Sequence, residues 1–195
     1  FNLIPVRGGN SGVQMFGWFN NEINSLEDLQ GLTMRIPSLG GEVFRRAGGV
    51  PVTMQVSEVF TALQTGALDA TEFVSPYNDL AAGYHTVADY YYYPGWHEPG
   101  STLETIFNKE RFESLPIDLQ EVLMAGTEIM NQLLLDELTA RNNEALRVLV
   151  EEHGVQLRKL PNDVLAELHR ISNEVVGELA LVDESTSRVY ESWRN

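Results

Sequence analysis

Between residues 25 and 82 helix signals alternate with short apolar runs, and this rhythm constrains the fold more than any other feature of the sequence. Ser25-Leu-Glu-Asp-Leu-Gln-Gly31 predicts a short helix capped by Ser25, with Asp28 three residues on and Gly31 as its stop. Leu32–Ile36 follows as a strand ended by Pro37. Ser38–Ala47 predicts a helix with Ser38 as cap and Gly48-Gly49 as stop, Val50–Met54 a strand, and Ser57–Thr65 a helix between a Ser57 cap and Gly66. Leu68–Val74 reads as a strand and Pro76–Ala82 as a short helix. Each unit is roughly 20 residues, which implies a mainly parallel sheet with helices on its faces. Ligands of such sheets collect beyond the carboxyl ends of the strands. Arg35 and Glu72 both fall at such ends, so both should point to one edge of the sheet.

The flanking segments fill in the architecture. Phe1–Val6 is strand-like from its first residue, which is not Met, so the expectation is the later part of a longer protein. Arg7–Gly12 is a glycine-rich turn without the Gly-x-x-x-x-Gly-Lys-Ser/Thr pattern of a phosphate loop. Gln14–Phe19 is extended. In Val87–Tyr93, alternation puts Tyr90 and Tyr92 on one face and Tyr91 and Tyr93 on the other, as in a strand covered on both sides. Trp96–Gly100 is a loop, and Ser101–Asn108 is again extended. Pro116–Glu152 has no internal proline and carries apolar residues at helical spacing. Unbroken, it would reach ~55 Å at 1.5 Å per residue, beyond the ~30 Å of a small domain. It must cross two lobes, pack on a partner, or kink near Gly126. Gly154 ends it, Val155–Leu160 is a short strand, and Pro161 opens a last helical region running toward Trp193.

Net charge and composition exclude several function classes. The charge of -15 repels nucleic-acid phosphates, and any anionic ligand needs a local positive feature. The absence of cysteine removes thiolate metal sites, cysteine nucleophiles and disulfides. No apolar run approaches the ~20 residues of a membrane-spanning helix. The four histidines show no metal-ligand spacing, and only His97, between Trp96 and Glu98, is placed near a site. No Gly-x-Ser-x-Gly is present.

Three residues do point to chemistry. Arg35 follows a strand and precedes a helix start, where its guanidinium can pair bidentately with a carboxylate and the free helix amides add positive potential. Glu72, at the mouth of an apolar strand, must be exposed, paired or bound to a cation, because an unpaired buried charge is costly. Gln14 offers an amide oxygen suited to a hard cation.

In these segments the chain resembles the solute-binding proteins of TRAP transporters. The resemblance rests on Gly12-Val-Gln14-Met with Gly17-Trp-Phe, on Leu26-Glu-Asp-Leu-Gln-Gly-Leu-Thr-Met-Arg35-Ile-Pro, and on Glu58-Val-Phe-Thr-Ala-Leu-Gln-Thr-Gly-Ala-Leu-Asp-Ala-Thr-Glu72. Tyr90–Tyr93 with Pro94-Gly95-Trp96-His97-Glu98-Pro99-Gly100 resembles the branch that binds 2-oxo acids such as pyruvate. The resemblance implies a fold, a location and a set of site residues. The protein would be periplasmic, with a two-lobed α/β fold of the periplasmic-binding-protein type, its first lobe incomplete and a long C-terminal helical region. Residues 1–100 would supply a shared strand and the second lobe, and 101–195 a return strand, the remainder of the first lobe and the C-terminal helices. Arg35 would receive the ligand carboxylate. Gln14, Glu72 and the backbone carbonyl of Phe73, often Trp in this branch, would hold a bridging cation, sodium or alternatively calcium. Trp96 and Glu98 would line the cleft. Partners would be the TRAP membrane permease subunits, and a homodimer could form through the C-terminal helix.

Formal charges favour sodium. Arg35 (+1), Glu72 (-1), a monocarboxylate (-1) and a monovalent ion (+1) sum to zero in a closing cleft, whereas calcium leaves +1 unless Glu98 joins. Three alternatives stand beside the leading one: a lactate or other 2-hydroxy acid binder using calcium, an enzyme with Glu72 as general base, and an interaction or sensor module built on the long helix.

Overall fold

The computed structural model describes residues 1–194. The strands are β1 (Leu3–Asn10), β2 (Gly17–Phe19), β3 (Thr33–Arg35), β4 (Val50–Val52), β5 (Ala70–Thr71), β6 (Tyr90–Tyr93), β7 (Thr102–Asn108) and β8 (Gln156–Lys159). The helices are α1 (Ser38–Arg46), α2 (Val56–Thr65), α3 (Pro76–Ala82), α4 (Lys109–Glu113), α5 (Ile117–Glu151), α6 (Asn162–Leu179) and α7 (Glu184–Arg194), with single 3-10 turns at Leu26–Leu29 and Tyr84–Thr86.

Six strands form one sheet in the order β4-β3-β5-β2-β6-β8. β3 is parallel to both β4 and β5, and β6 is parallel to β8. β2 lies antiparallel between β5 and β6. The sheet is thus mainly parallel, and the exception is the strand contributed from before the helix–strand repeat. Gly17 lets that strand in. Its φ is +145°, and a Cβ there would stand 2.2 Å from the Thr71 carbonyl oxygen.

Alternation along the strands builds a core on each face. Phe19, Met34 and Tyr92 pack with Phe44 of α1 and Leu168 of α6 on one side. Trp18 and Tyr91 pack with Leu63 of α2, Tyr84 and Leu149 of α5 on the other. Tyr91 and Tyr92 are both buried, on opposite faces, as a doubly covered strand requires. Each such side chain contributes roughly 1.5–3 kcal/mol by leaving water.

A second, antiparallel sheet consists of β1 and β7. α5 joins the two layers: it packs along β1 and also against α3, and its end enters the core through Leu149. The 35-residue helix is continuous, with Gly126 inside it, so among the expected alternatives it bridges two structural units. Its outer half leaves Ile117, Val122, Ile129, Met130 and Leu133 exposed, as are Leu103 and Ile106 of β7.

Several local expectations are corrected. The glycine-rich stretch is not a turn until Gly12, because β1 continues through Gly8 and Gly9 to Asn10, with a register shift between Arg7 and Gly9. The Ser25 cap stands as expected, in a capping box with Asp28, whose carboxylate accepts the Ser25 N–H at 3.0 Å and the Asn24 N–H at 2.8 Å. Ser38 is not a cap; extended Pro37 holds that position, and Ser38 opens the helix with φ 54°. Ser57 lies inside the first turn, since the helix begins after Gln55, whose carbonyl accepts the Glu58 N–H. β5 is shorter than Leu68–Val74: it covers only Ala70–Thr71, and the chain after it runs to the start of α3 at Pro76. The last helical region is two helices, broken between Leu179 and Glu184. β8, although it comes late in the chain, pairs with β6, and α6 covers the same core as α1.

Candidate functional site

The register of two parallel strands creates the centre of the site. Arg35 pairs with Thr71 across β3 and β5, and the Glu72 N–H donates to the Arg35 carbonyl at 3.0 Å. The two side chains therefore emerge at the same sheet edge, and they meet: Arg35 Nη1 donates to a Glu72 carboxylate oxygen, and to the Glu72 carbonyl at 3.4 Å. Glu72 is only 3% exposed, so this pairing is what makes its burial tolerable. Among the described residues, the contacts of Arg35 run through Nη1, and the Nε and Nη2 edge of its planar fork has no protein acceptor.

His97 and Glu98 complete the cluster. His97 Nε2 stands 3.6 Å from the second Glu72 oxygen, and neither ring nitrogen of this buried side chain has a hydrogen-bond partner. One ligand atom each from Glu72, His97 and Glu98 lies within 4.8 Å of the others, a spacing that fits a shared cation. Gln14 is linked to this group through serines. Its Nε2 donates to Ser11 Oγ at 3.0 Å and to Ser101 Oγ at 3.2 Å, and Ser101 Oγ in turn donates to Glu98. With the amide nitrogen so occupied, the Gln14 oxygen is left without a protein donor among the described residues. The Gln14 segment is gripped between two others: its N–H donates to the Pro99 carbonyl, and the Met15 N–H to the Val74 carbonyl. Gly95 is required there, since a Cβ would lie 2.8 Å from the Gln14 carbonyl oxygen.

Gln14, Phe73 and Glu98 wall a cavity of about 500 Å³, closed on its far side by Leu103, Leu134 and Leu138. The cavity thus lies between the large sheet and the β1–β7–α5 unit. The oxygen donors among these residues suit hard cations such as sodium and calcium. Trp96 is placed differently. It packs on Phe16 and lines a separate cavity of about 300 Å³ with Leu39, Gly40, Val43 and His97.

Behind Phe73 sits a buried acid that the sequence did not single out. Asp79, 1% exposed, accepts from Trp18 Nε1 at 3.0 Å, Tyr91 OH at 2.7 Å and the Val74 N–H at 3.2 Å. Burial pushes its carboxyl up to about 6, against the opposing effect of those three donors. Ser11 and Ser101 carry no local signal either: one lies in a glycine-rich stretch and the other is a lone serine just before a strand.

With this geometry in place, similarity to known proteins is informative. Residues 1–181 match the family model for bacterial extracellular solute-binding proteins, family 7. Over 194 residues the chain is 40% identical to a monocarboxylate 2-oxoacid-binding periplasmic protein of Nostoc sp. PCC 7120, covering all of this chain and 53% of that one. A TRAP periplasmic solute-binding protein from Pseudoalteromonas atlantica, with bound sodium and pyruvate, superimposes with a TM-score of 0.89 at 38% identity, over 98% of this chain and 58% of the other. One from Colwellia psychrerythraea, with bound calcium and pyruvate, gives 0.91 at 37% identity over the same shares. The chain spans a little over half the length of these relatives. No described helix is long and apolar enough to cross a membrane. On the family match and the 40% relative together, the chain belongs to the family 7 bacterial extracellular solute-binding proteins.

Proposed function

We propose that this chain carries the carboxylate- and cation-binding face of a periplasmic TRAP solute-binding protein. In this reading it holds a small 2-oxo monocarboxylate such as pyruvate and presents it, chemically unchanged, to the membrane permease subunits. The observation that carries the reading is the Arg35–Glu72 pair at adjoining strand ends, beside a cavity walled by Gln14, Phe73 and Glu98. The open edge of Arg35 donates two N–H bonds to the ligand carboxylate in a two-point pair. Gln14, the Glu72 carboxylate and the Phe73 carbonyl hold a hard cation, which neutralises charge beside the ligand. Leu103, Leu134 and Leu138 supply the apolar wall. The β1–β7 sheet with the outer half of α5 belongs to the first lobe and the six-stranded sheet to the second, and hinge closure between them buries the ligand.

The position of Glu98 bears on the ion. With Glu98 counted, Arg35 (+1), Glu72 (-1), Glu98 (-1) and a monocarboxylate (-1) sum to -2, which calcium cancels and sodium does not. The sodium preference drawn from Glu72 alone therefore gives way to the calcium alternative when Glu98 shares the ion. A homodimer through the C-terminal helices is supported by the exposure of Leu181, Val182, Val189 and Trp193.

Calorimetry tests the reading: pyruvate, lactate and a C4-dicarboxylate are titrated into the full-length chain in metal-free buffer, then with sodium and with calcium. Cation-dependent binding of pyruvate, recovered unchanged by chromatography, is expected. Equal affinity in all three buffers removes the cation role, and turnover of the ligand would establish an enzyme.

A further inference from the structure

We infer that Asp79 is a positioning residue for the cation: its carboxylate holds the Phe73–Val74 peptide so that the Phe73 carbonyl is presented as a ligand. This deepens the proposed function and rests on it. The Val74 N–H and the Phe73 C=O belong to one peptide group, and in a planar trans peptide these two point in opposite directions. Asp79 accepts that N–H at 3.2 Å, so the Phe73 oxygen is turned away from the acid. Among the described residues no donor is bonded to that oxygen, although Phe73 lines the same cavity as Gln14 and Glu98. The next peptide is fastened from the other side, its carbonyl taking the Met15 N–H at 3.2 Å, immediately after Gln14. Two of the three expected cation ligands are thereby held in fixed relation.

Asp79 is itself held rigidly. Trp18 and Tyr91 face each other across β2 and β6 in register, with rings stacked at 4.1 Å and 16°, and both donate to the same carboxylate oxygen. The other oxygen is left for Val74. Fastening α3 to the sheet needs only a neutral acceptor. A carboxylate adds something an amide cannot: accepting the N–H as an anion polarises the peptide and makes its carbonyl oxygen a better cation ligand. A buried acid with three donors, and no lysine, arginine or histidine bonded to it among the described residues, is expensive, and this use accounts for it.

The test compares three variants of the full-length chain by calcium titration at saturating pyruvate, with melting temperatures measured in parallel. Asp79→Asn keeps the shape and removes the charge; Tyr91→Phe removes one donor to the acid; Leu168→Ala, in the core of the opposite sheet face, controls for lost stability alone. Calcium half-saturation should rise at least about tenfold in Asp79→Asn, shift in the same direction in Tyr91→Phe, and stay within about twofold in Leu168→Ala. Shifts no larger than that of Leu168→Ala would overturn the inference, and Tyr91→Phe decides it if Asp79→Asn does not fold. In the unsubstituted chain the Val74 amide nitrogen should move downfield on adding calcium, because the carbonyl bonded to it takes the ion. Absence of that movement overturns the Phe73 ligand assignment itself. Movement with unaltered calcium affinity in the variants overturns only the role of Asp79.

Discussion

At the scale of single residues, the site is a set of charges that satisfy one another before any ligand arrives. Arg35 is held by Glu72 and so is not a free cation awaiting an anion. Arg35→Ala should therefore have two effects. Pyruvate binding, followed by calorimetry, should fall below detection. The melting temperature should also fall, because Glu72 is left as an unpaired buried acid, a loss of about 3–5 kcal/mol for a broken buried pair. Adding Glu72→Gln to that variant should restore most of the stability and none of the binding; stability unchanged in Arg35→Ala would mean that the pair is not formed in solution. Glu98 separates the two ions. Removing its charge in Glu98→Gln takes the formal sum from -2 to -1, so calcium affinity should fall relative to sodium affinity by at least about tenfold, ~1.4 kcal/mol. An unaltered ratio would place Glu98 outside the ion's shell.

At the scale of elements, the order of helices and strands between residues 25 and 82 was legible because each unit carries its own stop, as Gly66 and Gly83 do in the left-handed conformation. Caps were less legible. Ser38 and Ser57 have the right chemistry, but Pro37 and Gln55 are already extended and take the position first. Arg35 and Glu72 could be paired from their strand ends, since parallel neighbours share an edge. Ser101 and Asp79 could not, since they meet Gln14 and Trp18 across 87 and 61 residues. Long-range pairings of this kind leave no periodic trace. The one-sided pattern of a surface helix is also missing from α5, because one part of it is covered by β1 and α3 while its outer half keeps Ile117, Val122, Met130 and Leu133 exposed. A methyl group added at Gly126 in that helix would meet no atom within 4 Å, and Gly126 has no left-handed backbone to protect. Gly126→Ala should therefore raise stability by about 0.5–1 kcal/mol in urea unfolding, with pyruvate affinity unchanged. A loss of affinity would mean that α5 must bend at Gly126 during closure.

At the scale of the whole molecule, the binding face works against its own background. The chain carries a net charge of -15, yet its proposed ligand is an anion. In the proposed function affinity comes from Arg35 and the cation at short range, but approach is governed by the summed field. That field reaches ~30 Å at 0.01 M salt and only ~8 Å at 0.15 M. For an oppositely charged pair, salt slows association; here it should do the reverse. With the cation site saturated and choline chloride as the inert salt, the association rate of pyruvate should rise about two- to fivefold between those ionic strengths. Stopped-flow tryptophan fluorescence would read it, with Trp96, whose ring centroid lies 5.6 Å from that of His97, as the reporter. The dissociation rate should change far less, because the ligand's contacts in the closed cleft are shielded from solvent ions. An association rate that is flat or falls with salt would mean that Arg35 and the bound cation project a positive field out of the cleft strong enough to override the acidic surface.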